Sequence, residues 1–285
     1  GGGLMSGAGA RVRAMKDIMA LSHANLQRQA YAGVLDRAIF TGDLLNTNIA
    51  PYLDPTDSPG SYTAQNAAAP WRWNTGLTGI YSTAAQPNGL GGFPNTAVGT
   101  QLKMIARLIA ASGPTAFNMK RQIFFCAEGG FDTHTAQVTL TPAVDTLTGS
   151  HADLLNRVSE AMFAFQRAME QLGLSDSVTA FTASDFSRTF PSNRQGSDHG
   201  WGSHHIVVGG GVDGGKMFGK LPTFAINGPD DTGTGRWIPT LSVDEHTATL
   251  AKWYGLDANE ISAMLPNLSR FNTSHAGGYI NFMKA

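Results

Sequence analysis

Residues 178–212 read VTAFTASDFSRTFPSNRQGSDHGWGSHHIVVGGGV. The stretch opens as a strand, Val178, Ala180 and Thr182 alternating with Thr179, Phe181 and Ala183. It breaks at Ser184-Asp185, crosses a loop of Pro, Ser, Asn and Gly, and returns to an apolar run, Ile206–Val208, that ends in three glycines. Between the two runs stand Asp185, Arg188, Asp198, His199, His204 and His205. A loop this dense in charged and imidazole groups reads as a site carried on a scaffold, since loops concentrate function.

Working upstream, residues 154–172 form an amphipathic helix with Leu155, Val158, Met162, Phe165, Met169 and Leu172 at helical spacing, stopped by Gly173. Before it, residues 121–127 (RQIFFCA) are nearly continuous in apolar side chains, as a strand buried on both faces of a parallel sheet would be. Strand, crossover helix and strand make a βαβ unit. The expected fold is therefore α/β, a mainly parallel sheet flanked by helices. Asp132 and Asp185 leave the ends of its two strands, where open α/β sheets gather ligands. Further upstream, residues 96–111 predict a helix with Val98, Leu102, Ile105, Leu108 and Ile109 on one face.

The chain reads as a single α/β domain in three parts: a helical and long-loop portion over 1–95, a core over 96–271 and a tail over 272–285. Helical spacing covers residues 10–45, whereas residues 46–95, with Trp71-Arg72-Trp73, lose all period and read as a long loop. Downstream, Ser242 and Glu245 predict a capping box opening a helix that stops at Gly255, and Ile261, Met264 and Leu265 a last short one. The glycines after Val208 are no dinucleotide fingerprint, because no apolar-faced helix follows them.

Composition narrows the function classes. A net charge of −1 with 14% charged residues lacks the basic footprint of nucleic-acid binding. No apolar run approaches the roughly 20 residues of a membrane span. The single cysteine, Cys126, excludes an internal disulfide and reads as a buried inert thiol.

Four of the eight histidines (134, 199, 204 and 205) cluster with Asp132, Asp185 and Asp198. In an extended segment Asp132 and His134, two apart, project on the same side. Carboxylates with imidazoles suit zinc, manganese or iron, and calcium less well. Of the adjacent His204 and His205, the second is the better inward ligand, and Arg188 could pair with an oxyanion. The rival reading is that these groups only knit glycine-rich loops together by hydrogen bonds. His23, His151, His246 and His275 read as structural.

RQIFFCAEGGFDTHTAQ (121–137), the stretch 178–215 and GRWIPTLSVDEHTATLAKWYGL (235–256) together resemble an uncharacterised bacterial family, typically exported by the twin-arginine route and related to sulfatases and alkaline phosphatases. The resemblance spans roughly residues 93–271. It implies an alkaline-phosphatase-like core and hydrolysis of a phosphate or sulfate ester, small or on a polysaccharide. It implies divalent metal held by Asp132, His134, Asp185, Asp198, His199 and His205, with Asp185 and Arg188 in catalysis and Arg188 on the oxyanion. It implies a periplasmic or extracellular protein. This sequence departs from the alkaline-phosphatase pattern in having Phe186 where a histidine follows the strand-end aspartate, and in the short Asp132-x-His134 spacing. The Gly-Gly-Asn-Asp-Ser-like turn that would supply a further metal ligand and the nucleophile is not found in residues 1–95. The chain is accordingly expected to be the carboxyl-terminal part of a longer polypeptide. The alternative is a non-catalytic relative, a binding or assembly subunit of an exported complex or a homo-oligomer.

Overall fold

The computed structural model describes residues 42, 47–49, 93–113, 118–140, 145–271 and 279–284. The helices expected over 10–45, the loop over 46–95, and His23 and His275 lie essentially outside these residues. The chain divides into two compact units, one of residues 1–69 and 110–119, the other of 70–109 and 120–285. The second holds nearly every described element.

Helix α1, Ala97–Ala110, buries Val98, Leu102, Ile105 and Ile109, four positions recurring along one face as their spacing requires. Residues 121–127 then run extended but join no hydrogen-bonded ladder among the described residues. Gln122, Phe124 and Cys126 are half-buried, while Ile123 is 83% and Phe125 91% exposed. The expectation of a strand buried on both faces is thus corrected to an extended run with one bare apolar side. Its far end is closed by a side chain: the Gln101 carboxamide donates to the Ala127 carbonyl at 2.8 Å and accepts from the Ala127 N–H at 3.0 Å.

Helix α2, Ser150–Gln171, starts four residues before the expected Leu154. Its buried stripe is Leu154, Ala161, Ala164, Phe165, Ala168 and Met169, whereas Leu155 is 51% exposed. Phe165 and Met169 hold the expected face, but much of the closest packing falls on alanines, which read weakly as core. Gly149 ahead of the helix has φ 113°, and a Cβ there would lie 2.7 Å from the Val138 Cα. Only glycine fits this entry.

The strand expected over 178–183 forms only over β1, Thr179–Phe181, and β2 (Ser187–Ser192), β3 (Ser197–Gly200) and β4 (Val207–Gly209) follow. β1 pairs antiparallel with β4, Phe181 opposite Val207; β2 pairs antiparallel with β3, Arg188 opposite His199. The described molecule is therefore mixed α/β with short antiparallel strands. The parallel sheet expected from the strand–helix–strand order does not form among the described residues, because residues 121–127 supply β1 with no ladder and β4 takes that place.

Helix α3, Val243–Tyr254, opens with the expected capping box, in which the Ser242 side chain accepts from Glu245 N–H and the Glu245 carboxylate accepts from Ser242 N–H, and ends at Gly255 with φ 105°. Helix α4, Ala258–Met264, repeats the device with Asp257 and Glu260. Ala248 and Ala251 pack with Ile261 and Leu268, and Leu256, Leu265 and Tyr279 close over them. The tail is less irregular than its sequence reads: Asp213 N–H donates to Phe282 O and Lys284 N–H to Gly211 O, pairing the end of the chain with the residues after β4.

Candidate metal centre

Two segments build the site. The first is the exit from the extended run, Glu128 to His134. The Glu128 carboxylate, 8% exposed, accepts from the Val98 N–H at the start of α1 at 3.0 Å and lies 3.6 Å from Arg157 on α2. A carboxylate at a helix N-terminus is favourably placed against the helix dipole. This residue therefore pins the exit to two helices, and Asp132 and His134 project from it.

The second segment is the β2–β3 hairpin. Asn193 at its tip accepts from the N–H groups of Gln195 and Gly196 at 2.9 and 2.8 Å, an Asx turn. The same side chain donates to the His134 carbonyl at 3.0 Å, and Gln137 N–H donates to Gln195 O at 2.8 Å. The approach is so close that a Cβ on Gly196 would lie 2.3 Å from the Thr133 carbonyl oxygen. The hairpin is thereby seated on the Asp132–His134 segment.

Seating it brings three side chains to one point. Asp132 Oδ1 lies 2.6 Å from His199 Nε2 and 3.0 Å from His134 Nε2. The two imidazoles are tilted at 35° with centroids 4.8 Å apart. All three candidate ligand atoms lie within 4.8 Å of one another, and all three residues are exposed. The His199 hydrogen bond, above all, holds the Asp132 carboxyl below its ordinary value; desolvation opposes it, and the charges of His134, His199 and Arg188 each add a smaller lowering. The ligands of a tetrahedral zinc ion stand about 3.3 Å apart. The carboxylate oxygen's two spacings, 2.6 and 3.0 Å, are shorter, so admitting an ion requires the imidazoles to move outward from Asp132.

Two further groups surround His199. The Phe186 ring stacks on it at 4.3 Å and 22°, and the Arg188 guanidinium lies 5.2 Å from the Phe186 centroid. Arg236 donates from Nε to the His199 carbonyl at 3.1 Å and pairs with Asp198 at 3.4 Å.

Of the residues expected to hold metal, Asp132, His134 and His199 come together. Asp198, though adjacent to His199, turns to Arg236 and accepts from the His199 N–H, the main reason its carboxyl falls below its ordinary value. Asp185 is exposed at the end of the β1 exit and joins no ligand group. His205 sits apart, with Nδ1 3.4 Å from Thr182 Oγ1, and burial, helped by His204, pushes its imidazole below the ordinary value. Adjacent strand residues face opposite ways, so Asp198 and His199 could not both point at Asp132. Phe186, Asn193 and Arg236 carry the geometry without having been singled out as site residues. Asn193 had a readable signal, the Asn-x-x-Gly spacing of a turn.

His151 and His246 take structural places, as expected. His151 meets Phe131 edge-on at 6.0 Å; His246 packs between Phe181 at 5.5 Å and Phe282 at 5.2 Å. No helix among the described residues is long and apolar enough to cross a membrane.

No curated protein and no solved structure matches the chain. A family model does: the family described as "Protein of unknown function (DUF1501)" matches residues 90–269, which include the whole triad and more than half of the sequence, and the chain belongs to that family.

Proposed function

We propose that Asp132, His134 and His199 bind one divalent transition-metal ion, and that the site so formed hydrolyses a phosphate or sulfate ester outside the cytoplasm. The observation that carries the metal reading is the convergence of two imidazole nitrogens, at 2.6 and 3.0 Å, on a single carboxylate oxygen. One carboxylate with two imidazoles is the donor set of zinc and of other first-row divalent ions, and too poor in oxygen for calcium. Three protein ligands are the count of a catalytic site with a free position, whereas structural sites are closed by four. Bound there, an ion would supply an acidified water and polarise an ester oxygen. The sequence resemblance to an exported family related to alkaline phosphatases and sulfatases supports the ester class and the exported location.

A second reading, a metal-binding but non-catalytic subunit of an exported complex, is favoured by one feature: Asp185 and His205 stand outside the triad. The test begins with the metal content of protein purified without chelator. Uptake of about one equivalent, lost in Asp132→Asn and His134→Ala, is expected. Absence of any bound transition metal would sink both readings. Hydrolysis of 4-nitrophenyl phosphate or sulfate by the metal-loaded chain, abolished in the same variants, separates the enzyme from the subunit.

A further inference from the structure

The Arg188 side chain is only 12% exposed, and its nitrogens face protein. Nη2 donates to the Phe131 carbonyl and stands 3.5 Å from Asp132 Oδ1, while Nη1 donates to the Ser197 carbonyl at 2.9 Å. Phe131 immediately precedes Asp132 in the chain, and Ser197 lies two residues before His199 on β3. The guanidinium therefore spans the two halves of the triad through their backbones. Its central carbon lies over the Phe186 ring, 5.2 Å from the centroid, and that ring lies against His199. An arginine that captures an oxyanion must present its fork to the open site. Here both terminal nitrogens are engaged with carbonyl oxygens.

We infer that Arg188 and Phe186 are positioning residues, a column in which the guanidinium ties the two backbones and the phenyl ring stacks on the imidazole, and which sets where His199 stands relative to Asp132 and His134. The inference rests on the metal reading for its effect on affinity, but not for its effect on the imidazole. Arginine is required because one side chain must reach two carbonyls at once from two separate nitrogens, which a lysine's single ammonium does poorly. Phenylalanine at 186 then has a use of its own. It holds a ligand by its face and contributes none.

The experiment combines Co²⁺ titration, followed by visible absorption, with NMR of the His199 ring protons in metal-free protein. The variants are Arg188→Lys and Phe186→Leu, with Ile261→Val in the remote α3–α4 core as a control for lost stability. Roughly 10- to 100-fold weaker Co²⁺ binding is expected in both column variants, as for other groups that orient ligands. The His199 ring protons should also shift in both, the Phe186 ring current being lost outright in Phe186→Leu. Ile261→Val should change neither. Wild-type affinity and wild-type His199 resonances in Arg188→Lys would overturn the inference, as would affinity losses that only track melting temperature across all three variants. If the wild-type chain takes up no Co²⁺, or if uptake survives His134→Ala, the metal reading falls instead, and the His199 resonances still decide the column.

Discussion

At the scale of single residues, the site depends on how closely two backbones approach. Gly196 touches the Thr133 and His134 carbonyls, with a would-be Cβ at 2.3 and 2.6 Å from their oxygens. Gly196→Ala should lift the hairpin from the Asp132 segment and lower stability by about 1–3 kcal/mol in urea unfolding, the usual cost of overpacking. An unchanged midpoint would show that the hairpin is not seated as described. The Asp132-x-His134 pair was legible because a two-residue spacing puts both side chains on one side of an extended segment. The third ligand, His199, was named as well, but only alongside Asp185, Asp198 and His205. His199 and His205 have the same chemistry, and choosing between them needs the hairpin register, which the bulge between Arg188 and Ser192 hides from the sequence. Phe186 was equally unreadable, since nothing local says which imidazole a phenyl ring will meet.

At the scale of elements, α2 shows that side-chain size alone does not rank burial. Ala168 is fully buried, whereas Leu155 is 51% exposed. Ala168→Leu should cost about 1–3 kcal/mol, and Leu155→Ala no more than about 0.5 kcal/mol, in equilibrium denaturation. The reverse order would restore the stripe read from hydrophobicity alone. The capped helix α3 was legible to the residue at both ends, because capping boxes and terminal glycines are local devices. Pairing of residues 121–127 was not, because an apolar run does not say what lies beside it. With Ile123 and Phe125 bare, this run is the part of the described chain most prone to edge-to-edge association. Ile123→Lys with Phe125→Lys should leave the unfolding free energy within about 0.5 kcal/mol. The pair should also lower light scattering on concentration. A large loss of stability would show instead that the bare side is covered in solution.

At the scale of the whole molecule, pH links three partly desolvated imidazoles to stability. His246, His151 and His205 all lie below the ordinary imidazole value of 6.5, in each case mainly through burial. Their unfolded forms bind protons more readily than their folded forms, so their contribution is complete above pH 6.5 and is lost as pH falls through the depressed values. The depressed carboxylates, Asp132, Asp198, Asp230 and Asp231, act lower, their contribution fading only as pH falls below 3.8. Urea midpoints should therefore fall between pH 7 and pH 5, and His246→Phe, whose ring can lie between Phe181 and Phe282, should flatten that fall. A slope equal to that of the wild type would remove His246 from the account.

The hairpin tip carries one last consequence. Arg194 is exposed, with φ 78°, between Asn193, which holds the His134 carbonyl, and Gln195, which holds the Gln137 N–H. Trypsin acting at that bond alone would leave Asp132 and His134 on one fragment and His199 on the other. An ion bound as proposed above would then cross-link two polypeptides. Gel filtration of the nicked protein should return one species in Zn²⁺ and an increased share of separated fragments in EDTA, making the hairpin a natural split point for a zinc-dependent reassembly.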